Sequence, residues 1–209
     1  MLNIFNISLH RSGTQSAHDL FRRTGCSSIH WAADVDGVNY QEMVTDREDD
    51  IDFVAEILTP VFKKFTAVND APISALYRPL SAKYPHAKFF AFRRSATGWV
   101  RSVRRHIGSR AFVPFERVVY WSFFRQKPAT LSELSDSELI NFHDWHHSQI
   151  TTHFGSSPKV LILSLDGKGL GPRLCEFCGL PPVPLRVVDF KLGHNLWGDP
   201  ADIDAKVCD

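Results

Sequence analysis

Apolar residues fall into a few short runs, separated by stretches in which they recur at helical spacing. Asn3 to Leu9 reads as a strand. A polar turn follows, His10-Arg11-Ser12-Gly13-Thr14, and then a helix with apolar positions at Ala17, Leu20 and Phe21 that ends near Gly25. Residues 26–50 show no clear period and read as a solvated, increasingly acidic loop. Ile51 to Phe65 has helical spacing, broken at Pro60. Phe65 to Val68 predicts a strand, and Ile73 to Tyr84 a helix interrupted at Pro79. The compact run at 88–92 is too short for a helix and reads as a buried strand. Helices are predicted at 97–106, 115–127 and 136–154, a last strand at 159–165, and a short helix from Gly171 to Cys178. From Leu185 the chain reads as a loop-like tail.

Strands alternating with helices predict an α/β fold in three layers, a parallel sheet flanked by helices on both faces. Ligands in such sheets sit beyond the carboxyl ends of the strands. Attention therefore falls on the loops at 8–16, 69–72 and 93–102. With 209 residues, 44% hydrophobic and 22% charged, the chain suits one globular domain over 1–209, with a core about 3–182 and a tail at 183–209. Lys+Arg 24 against Asp+Glu 23 leaves +1, so no global field recruits nucleic acid or an anionic membrane, and any anion site is local. No run approaches the ~18 apolar residues of a membrane helix. The first residues lack the basic stretch and cleavage site of a secretory leader. Four cysteines are too sparse for a disulfide framework, so a reduced, cytoplasmic protein is expected.

The first loop carries candidate anion chemistry. A glycine at a strand-to-helix junction lets backbone N–H groups and the positive helix end approach an anion. Arg11 adds a fixed charge, and Ser12, Thr14 and Ser16 add hydroxyls. An ordinary capped turn explains the same residues. The Gly-x-x-x-x-Gly-Lys-Ser/Thr phosphate loop is absent, which argues against an ATPase or GTPase. In the third loop Arg94 follows a strand end, and Ser102, eight residues on, faces the same rim. That pair suits a second phosphate. Arg101, Arg104 and Arg105 fall partly on other faces of a basic, solvated helix.

Together these segments resemble the sulfotransferase family that uses 3′-phosphoadenosine 5′-phosphosulfate (PAPS). Leu9-His10-Arg11-Ser12-Gly13-Thr14-Gln15-Ser16 is similar to that family's first-strand loop, and Arg94 to Ser102 to its second signature. Tyr84 to Phe89, Trp99 to Ser102, Leu163 to Asp166 and Leu174 to Pro181 extend the likeness over about residues 3–182. The resemblance implies a P-loop nucleotide-hydrolase-like fold. It implies PAPS as donor, 3′,5′-bisphosphoadenosine (PAP) as product, no metal, and a hydroxyl or amine on a small-molecule or glycan acceptor. It assigns Arg11, Ser12, Gly13, Thr14, Gln15 and Ser16 to the 5′-phosphosulfate, and Arg94 and Ser102 to the 3′-phosphate. Departures stand at His10, where proline is common, at Ser8 for glycine, at Gln15 for threonine, and at Ser95-Ala96 for Asp-Pro.

An acceptor hydroxyl needs a base. Asp70, in the post-strand loop Asn69-Asp70-Ala71-Pro72, is the first candidate, with an N-cap as the competing explanation. His30 and Asp34 are weaker candidates. Cys175 and Cys178 read as core packing. His143, His146, His147 and His153 read as a solvated or partner-facing helix rather than a metal site. The aromatic residues Phe112, Phe115, Tyr120, Trp121, Phe123 and Phe124 are candidates to line an acceptor pocket, but most read as core. Lys191 and His194 are expected in a loop near the nucleotide. Two other functions stay open, a P-loop-type nucleotide or small-molecule kinase and a non-catalytic nucleotide-binding relative. The acceptor and the oligomeric state have no readable code in the sequence.

Overall fold

The structure is a computed structural model that describes residues 3–186. Five parallel strands form the sheet: β1 (Ile4–Asn6), β2 (Ser28–His30), β5 (Ala67–Asn69), β6 (Lys88–Arg93) and β7 (Val160–Ser164), in the order β2-β5-β1-β6-β7. A separate two-stranded hairpin pairs β3 (Asp34–Val35) with β4 (Val38–Asn39). The helices are α1 (Thr14–Arg23), α2 (Tyr40–Met43), α3 (Ile51–Ile57), α4 (Thr59–Lys64), α5 (Tyr77–Lys83), α6 (Ala96–Ile107), α7 (Pro114–Trp121), α8 (Asp136–Phe154) and α9 (Leu170–Cys178).

Successive strand side chains point to opposite faces, so each central strand serves two cores. On β6, Phe89 and Ala91 enter the larger core while Phe90 and Phe92 enter the smaller one. β1 divides in the same way, with Phe5 in the larger and Ile4 in the smaller. The smaller core is closed by α1, through Ala17, Leu20 and Phe21, and by α9, through Leu170, Leu174, Cys175 and Cys178. The larger is closed by α3 to α8 and is rich in rings, among them Phe5, Phe62, Trp99, Phe115, Tyr120 and Phe142. The three-layer α/β arrangement expected from the sequence is present.

Local sequence explains most boundaries. Asp50 caps α3 by accepting the Phe53 N–H at 3.0 Å. Pro60 opens α4, where its missing N–H costs nothing. Ser135 and Glu138 form a capping box at α8, whose bounds match the predicted 136–154. Three expectations need correction. Residues 26–50 are not a continuous loop, because they contain β2, the hairpin and α2. β2 has three half-buried residues on a sheet edge, too few to show a period. The predicted helix at 73–84 begins as a 3-10 turn over Ile73–Ala75, and α5 follows with Pro79 in its first turn. α7 stops at Trp121, short of the predicted 127. Lys191 and His194 lie outside the described residues. Among the described residues, no helix is long and apolar enough to cross a membrane.

Candidate active site

Hydrogen bonds tie the carboxyl ends of four neighbouring strands into one rim. Asn6 on β1 donates from Nδ2 to Asn69 Oδ1 on β5 at 3.1 Å. Asn69 Nδ2 in turn donates to the Ile29 carbonyl on β2 at 3.1 Å. Ser8 Oγ donates to Asn6 Oδ1 at 2.5 Å and accepts the Phe92 N–H of β6 at 2.8 Å. Ser8, standing where the resembled family has glycine, is thus a strut between strands.

Past this rim, residues 9–13 form a tight loop with Arg11 at φ 64° and Gly13 at φ 82°, before α1 begins at Thr14. Gly13 is required on two counts. Its φ is left-handed, and a Cβ there would lie 3.2 Å from Leu165 Cδ2 and 3.3 Å from Phe92 Cδ2. Ser12, Thr14 and Ser16 are buried and Gln15 half-buried at the start of α1, where the first N–H groups have no acceptor within the helix. Ser12 is fully buried with its Oγ lacking a partner. Its own N–H is spent inside the loop, on the Leu9 carbonyl at 3.2 Å.

The third loop meets the first. Arg94 Nη1 donates to the Arg11 carbonyl at 3.3 Å, and Arg11 Nε donates to Ser102 Oγ at 3.5 Å. Trp99 Nε1 donates to the His10 carbonyl at 2.9 Å. The two basic stretches, far apart in sequence, therefore meet. The other arginines serve elsewhere. Arg104 pairs with Asp136 and donates to the Leu131 and Leu134 carbonyls, fastening α6 to the segment before α8. Arg93 lies 3.9 Å from Asp144, and Arg101 and Arg105 are exposed.

The second loop supplies a buried carboxylate paired with a half-buried histidine. Asp70 follows β5 at φ 77° and is 8% exposed. Its Oδ2 lies 2.7 Å from His30 Nε2 and accepts the Thr14 hydroxyl at 3.2 Å, while its Oδ1 accepts the Ala71 N–H at 2.9 Å. His30 Nε2 is also 3.2 Å from Thr14 Oγ1. A nitrogen facing a carboxylate and a hydroxyl is assigned the ring proton. Burial pushes the Asp70 carboxyl up, but the charge and hydrogen bond of His30, a smaller effect of His10 and the Ala71 N–H outweigh it. The carboxyl is held well below the usual carboxylate range. Asp70 is not the N-cap of a helix: the 3-10 turn that follows is capped at Pro72, and the carboxylate accepts instead from a side chain on β2 and another on α1. Asp34 is exposed on the β3–β4 hairpin.

The sequence ranks His30 below Asp70 because three half-buried residues give β2 no period, and it shows His10 only as a departure at the position where proline is common. His10 is buried against Tyr120, its Nε2 2.9 Å from the phenol oxygen. The histidines of α8 require a further correction. His143, His146 and His147 are buried, and only His153 is exposed. His146 Nε2 donates to the Ile7 carbonyl at 2.9 Å, bracing the end of β1 from behind. Among the described residues, no three His, Cys, Asp or Glu side chains are grouped as a metal site requires. Cys175 and Cys178 are buried in the smaller core, as read from the sequence.

Comparison with known proteins agrees with this geometry. A family model described as a sulfotransferase domain matches residues 3–190. Among curated proteins none matches the sequence. A sulfotransferase from Alicyclobacillus acidocaldarius superposes with a TM-score of 0.51 at 12% identity, covering 92% of this chain and 87% of that one. A shikimate kinase from Bacteroides thetaiotaomicron superposes with a TM-score of 0.51 at 14% identity, covering 85% of this chain and 94% of that one. At such identities the likeness speaks for the shared P-loop-like fold alone, while the family match spans most of the sequence and takes in all three rim loops. The chain belongs to the sulfotransferase family.

Proposed function

We propose that this protein transfers a sulfuryl group from PAPS to a hydroxyl or amine on a small-molecule or glycan acceptor, without a metal. The observation that supports the reading is the junction of Arg94, Arg11 and Ser102, which brings two loops rich in candidate anion ligands together, with the buried Asp70 carboxylate bonded to Thr14 at the start of α1. In this reading the start of α1 and the hydroxyls of Ser12, Thr14 and Ser16 receive the 5′-phosphosulfate. Gln15 lines the same helix start. Arg94 and Ser102 take the 3′-phosphate, which would open the Arg11–Ser102 hydrogen bond, and Arg11 turns to the oxygen that bridges sulfur and phosphorus.

Sulfuryl transfer parallels phosphoryl transfer, in which positioning and charge stabilisation carry most of the catalysis. The acceptor oxygen forms a bond to sulfur as the bond from sulfur to the bridging oxygen breaks. Charge grows on that oxygen, beside Arg11, and PAP departs. Asp70 orients the acceptor hydroxyl, or an amine in its place, and receives its proton late in the step. An ionised carboxylate held so low is a weak base, so its task is alignment as much as proton removal.

Calorimetric titration with PAP, ATP and GTP, with and without magnesium, tests the donor assignment. PAP is expected to bind tightly without magnesium and in preference to ATP and GTP. Magnesium-dependent turnover of ATP would instead establish a kinase. Binding of PAP without transfer from labelled PAPS to any acceptor in a broad screen would mark a relative that has kept the site and lost the chemistry.

A further inference from the structure

The loops that leave β1, β2 and β5 each hold a non-glycine residue with a left-handed backbone: Arg11 at φ 64°, Trp31 at φ 61° and Asp70 at φ 77°. Aspartate enters that region readily, whereas a bulky indole does so rarely. Such outliers persist where the surroundings enforce them, and they gather at functional sites. Trp31 is held on both sides of its backbone. Its N–H donates to the Asn69 carbonyl at 3.2 Å, and its own carbonyl accepts the Ala33 N–H at 2.9 Å.

These contacts set Trp31 beside the carboxylate of the rim. The Asn69 carbonyl belongs to the peptide that joins Asn69 to Asp70, and the residue before Trp31 is His30, whose Nε2 lies 2.7 Å from Asp70 Oδ2. The indole meets the ring of Phe115 edge to face, centroids 5.8 Å apart, and through it packs on the larger core. Trp31 is nonetheless only half-buried, past the carboxyl end of β2. Trp99 and Trp121 spend their indole N–H groups on the carbonyls of His10 and Pro128. The indole N–H of Trp31 has no partner among the described residues and is not sealed from solvent. An aromatic ring seated on the core, still partly open, and one peptide away from Asp70 is a platform for a second flat ring.

We propose that Trp31 binds the acceptor, and that the acceptor is an aromatic alcohol whose ring lies against the indole while its hydroxyl meets Asp70. The inference rests on the sulfuryl-transfer reading above and names the substrate class it leaves open. The phenolic oxygen forms its bond to sulfur as the bond from sulfur to the bridging oxygen breaks, and the phenolic proton passes to Asp70. Two observations favour a phenol over a sugar or an aliphatic alcohol. The neighbours of the indole are apolar, with Phe115, Ala32 and Ala33 all buried. Asp70, held low by His30, is a weak base, and a phenol that ionises near about 10 gives up its proton far more readily than an aliphatic hydroxyl.

Calorimetry on protein saturated with PAP reads acceptor binding without turnover, with β-naphthol and methyl β-glucoside as probes. Naphthol is expected to bind, and the glucoside about tenfold more weakly or not at all. Trp31→Phe should hold naphthol affinity within about threefold, while Trp31→Leu should lose about tenfold, the scale of one stacked aromatic pair. PAP affinity should stay within about twofold in both variants. In transfer from labelled PAPS, Trp31→Leu should raise KM for naphthol about tenfold and leave kcat within about twofold. Unchanged naphthol affinity in Trp31→Leu, or an equal loss of PAP affinity, overturns the contact. Tighter binding of the glucoside than of naphthol overturns the aromatic acceptor. Binding of PAP with no binding of naphthol overturns the proposal while leaving the donor assignment standing. If the unaltered protein does not bind PAP, the donor assignment itself falls and takes the proposal with it.

Discussion

Gly13 and Gly25 share φ +82°, yet their surroundings differ, and that difference isolates what the first loop demands. At Gly25, past the end of α1, a Cβ would meet nothing within 4 Å. Gly25→Ala therefore costs only the left-handed backbone, about 1–2 kcal/mol. At Gly13 the same backbone cost applies, and the new methyl also presses on Leu165 and Phe92 at 3.2 and 3.3 Å. Both neighbours are packed against the smaller core, Phe92 fully buried within it, so neither yields without disturbing β6 or the turn after β7. Overpacking of this kind adds about 1–3 kcal/mol. In a chain of this length 1 kcal/mol moves the melting temperature by about 2–4 °C. Gly25→Ala should melt about 4 °C below the unaltered protein, and Gly13→Ala about 10 °C below it. Scanning calorimetry or far-UV dichroism reads both. On the proposed donor assignment, PAP affinity should fall about tenfold in Gly13→Ala, whose loop must shift, and stay unchanged in Gly25→Ala. Equal melting temperatures for the two variants would refute the packing argument. A destabilised Gly13→Ala that binds PAP normally would show that the loop's position does not govern the anion site.

On the proposed mechanism, Arg11→Ala should lower kcat by about 10²–10³-fold through the loss of charge beside the leaving oxygen, whereas Arg94→Ala should mainly weaken PAP binding, by about 30-fold in a titration. Asp70→Asn should remove transfer while sparing PAP binding. Because the folded pKa of Asp70 lies below the unfolded one, its stabilisation is present above the ordinary carboxylate range and lost as pH falls through the folded value. The stability difference between Asp70→Asn and the unaltered protein should therefore be large at pH 7 and shrink in acid, as read by urea unfolding at both pH values. His146 is pushed down to about 4 by burial, against the opposing effect of its bond to the Ile7 carbonyl. The unfolded chain takes up that proton near pH 6.5 and the folded one does not, so stability drops between pH 6.5 and 4 by about 3 kcal/mol from this group. His146→Gln should flatten that part of the pH–stability curve, and an unchanged curve would remove His146 as its source.

The parts of this site that could be read from sequence are those whose chemistry is local. A glycine between a strand and a helix, flanked by Arg11 and hydroxyls, announces a backbone concavity wherever the strand sits. Arg94 and Ser102 follow from one strand end and one helix period. Asp70 stands directly after β5. The helices were legible where a cap or a proline marked them, as at Asp50, Pro60 and Ser135. The unread parts depend on what lies across the fold. β2 has three residues and draws its order from pairing with β5, and only that pairing, which sets His30 opposite Asn69, brings the imidazole to Asp70. The α8 histidines look like a solvated face because imidazole is polar. Their burial depends on where β1 ends, and the Ile7 carbonyl gives His146 its partner.

The same distinction bears on His10. Taken alone it is a departure that weakens a motif, since proline stiffens such a loop and histidine does not. In the fold, the loop is held by other means: Trp99 binds the His10 carbonyl, Arg94 binds that of Arg11, and Ser8 fastens the strand end to β6. With three external supports the rigidity that proline would provide is already present, and the position tolerates a histidine. Ser8 and His10, two departures from the family pattern, are on this view linked. The serine supplies part of the stiffness that the lost proline would have given. Exchanging both, Ser8→Gly with His10→Pro, should restore a stable loop more nearly than either change alone. A double-mutant cycle on melting temperature with no coupling between the two positions would show that they vary independently.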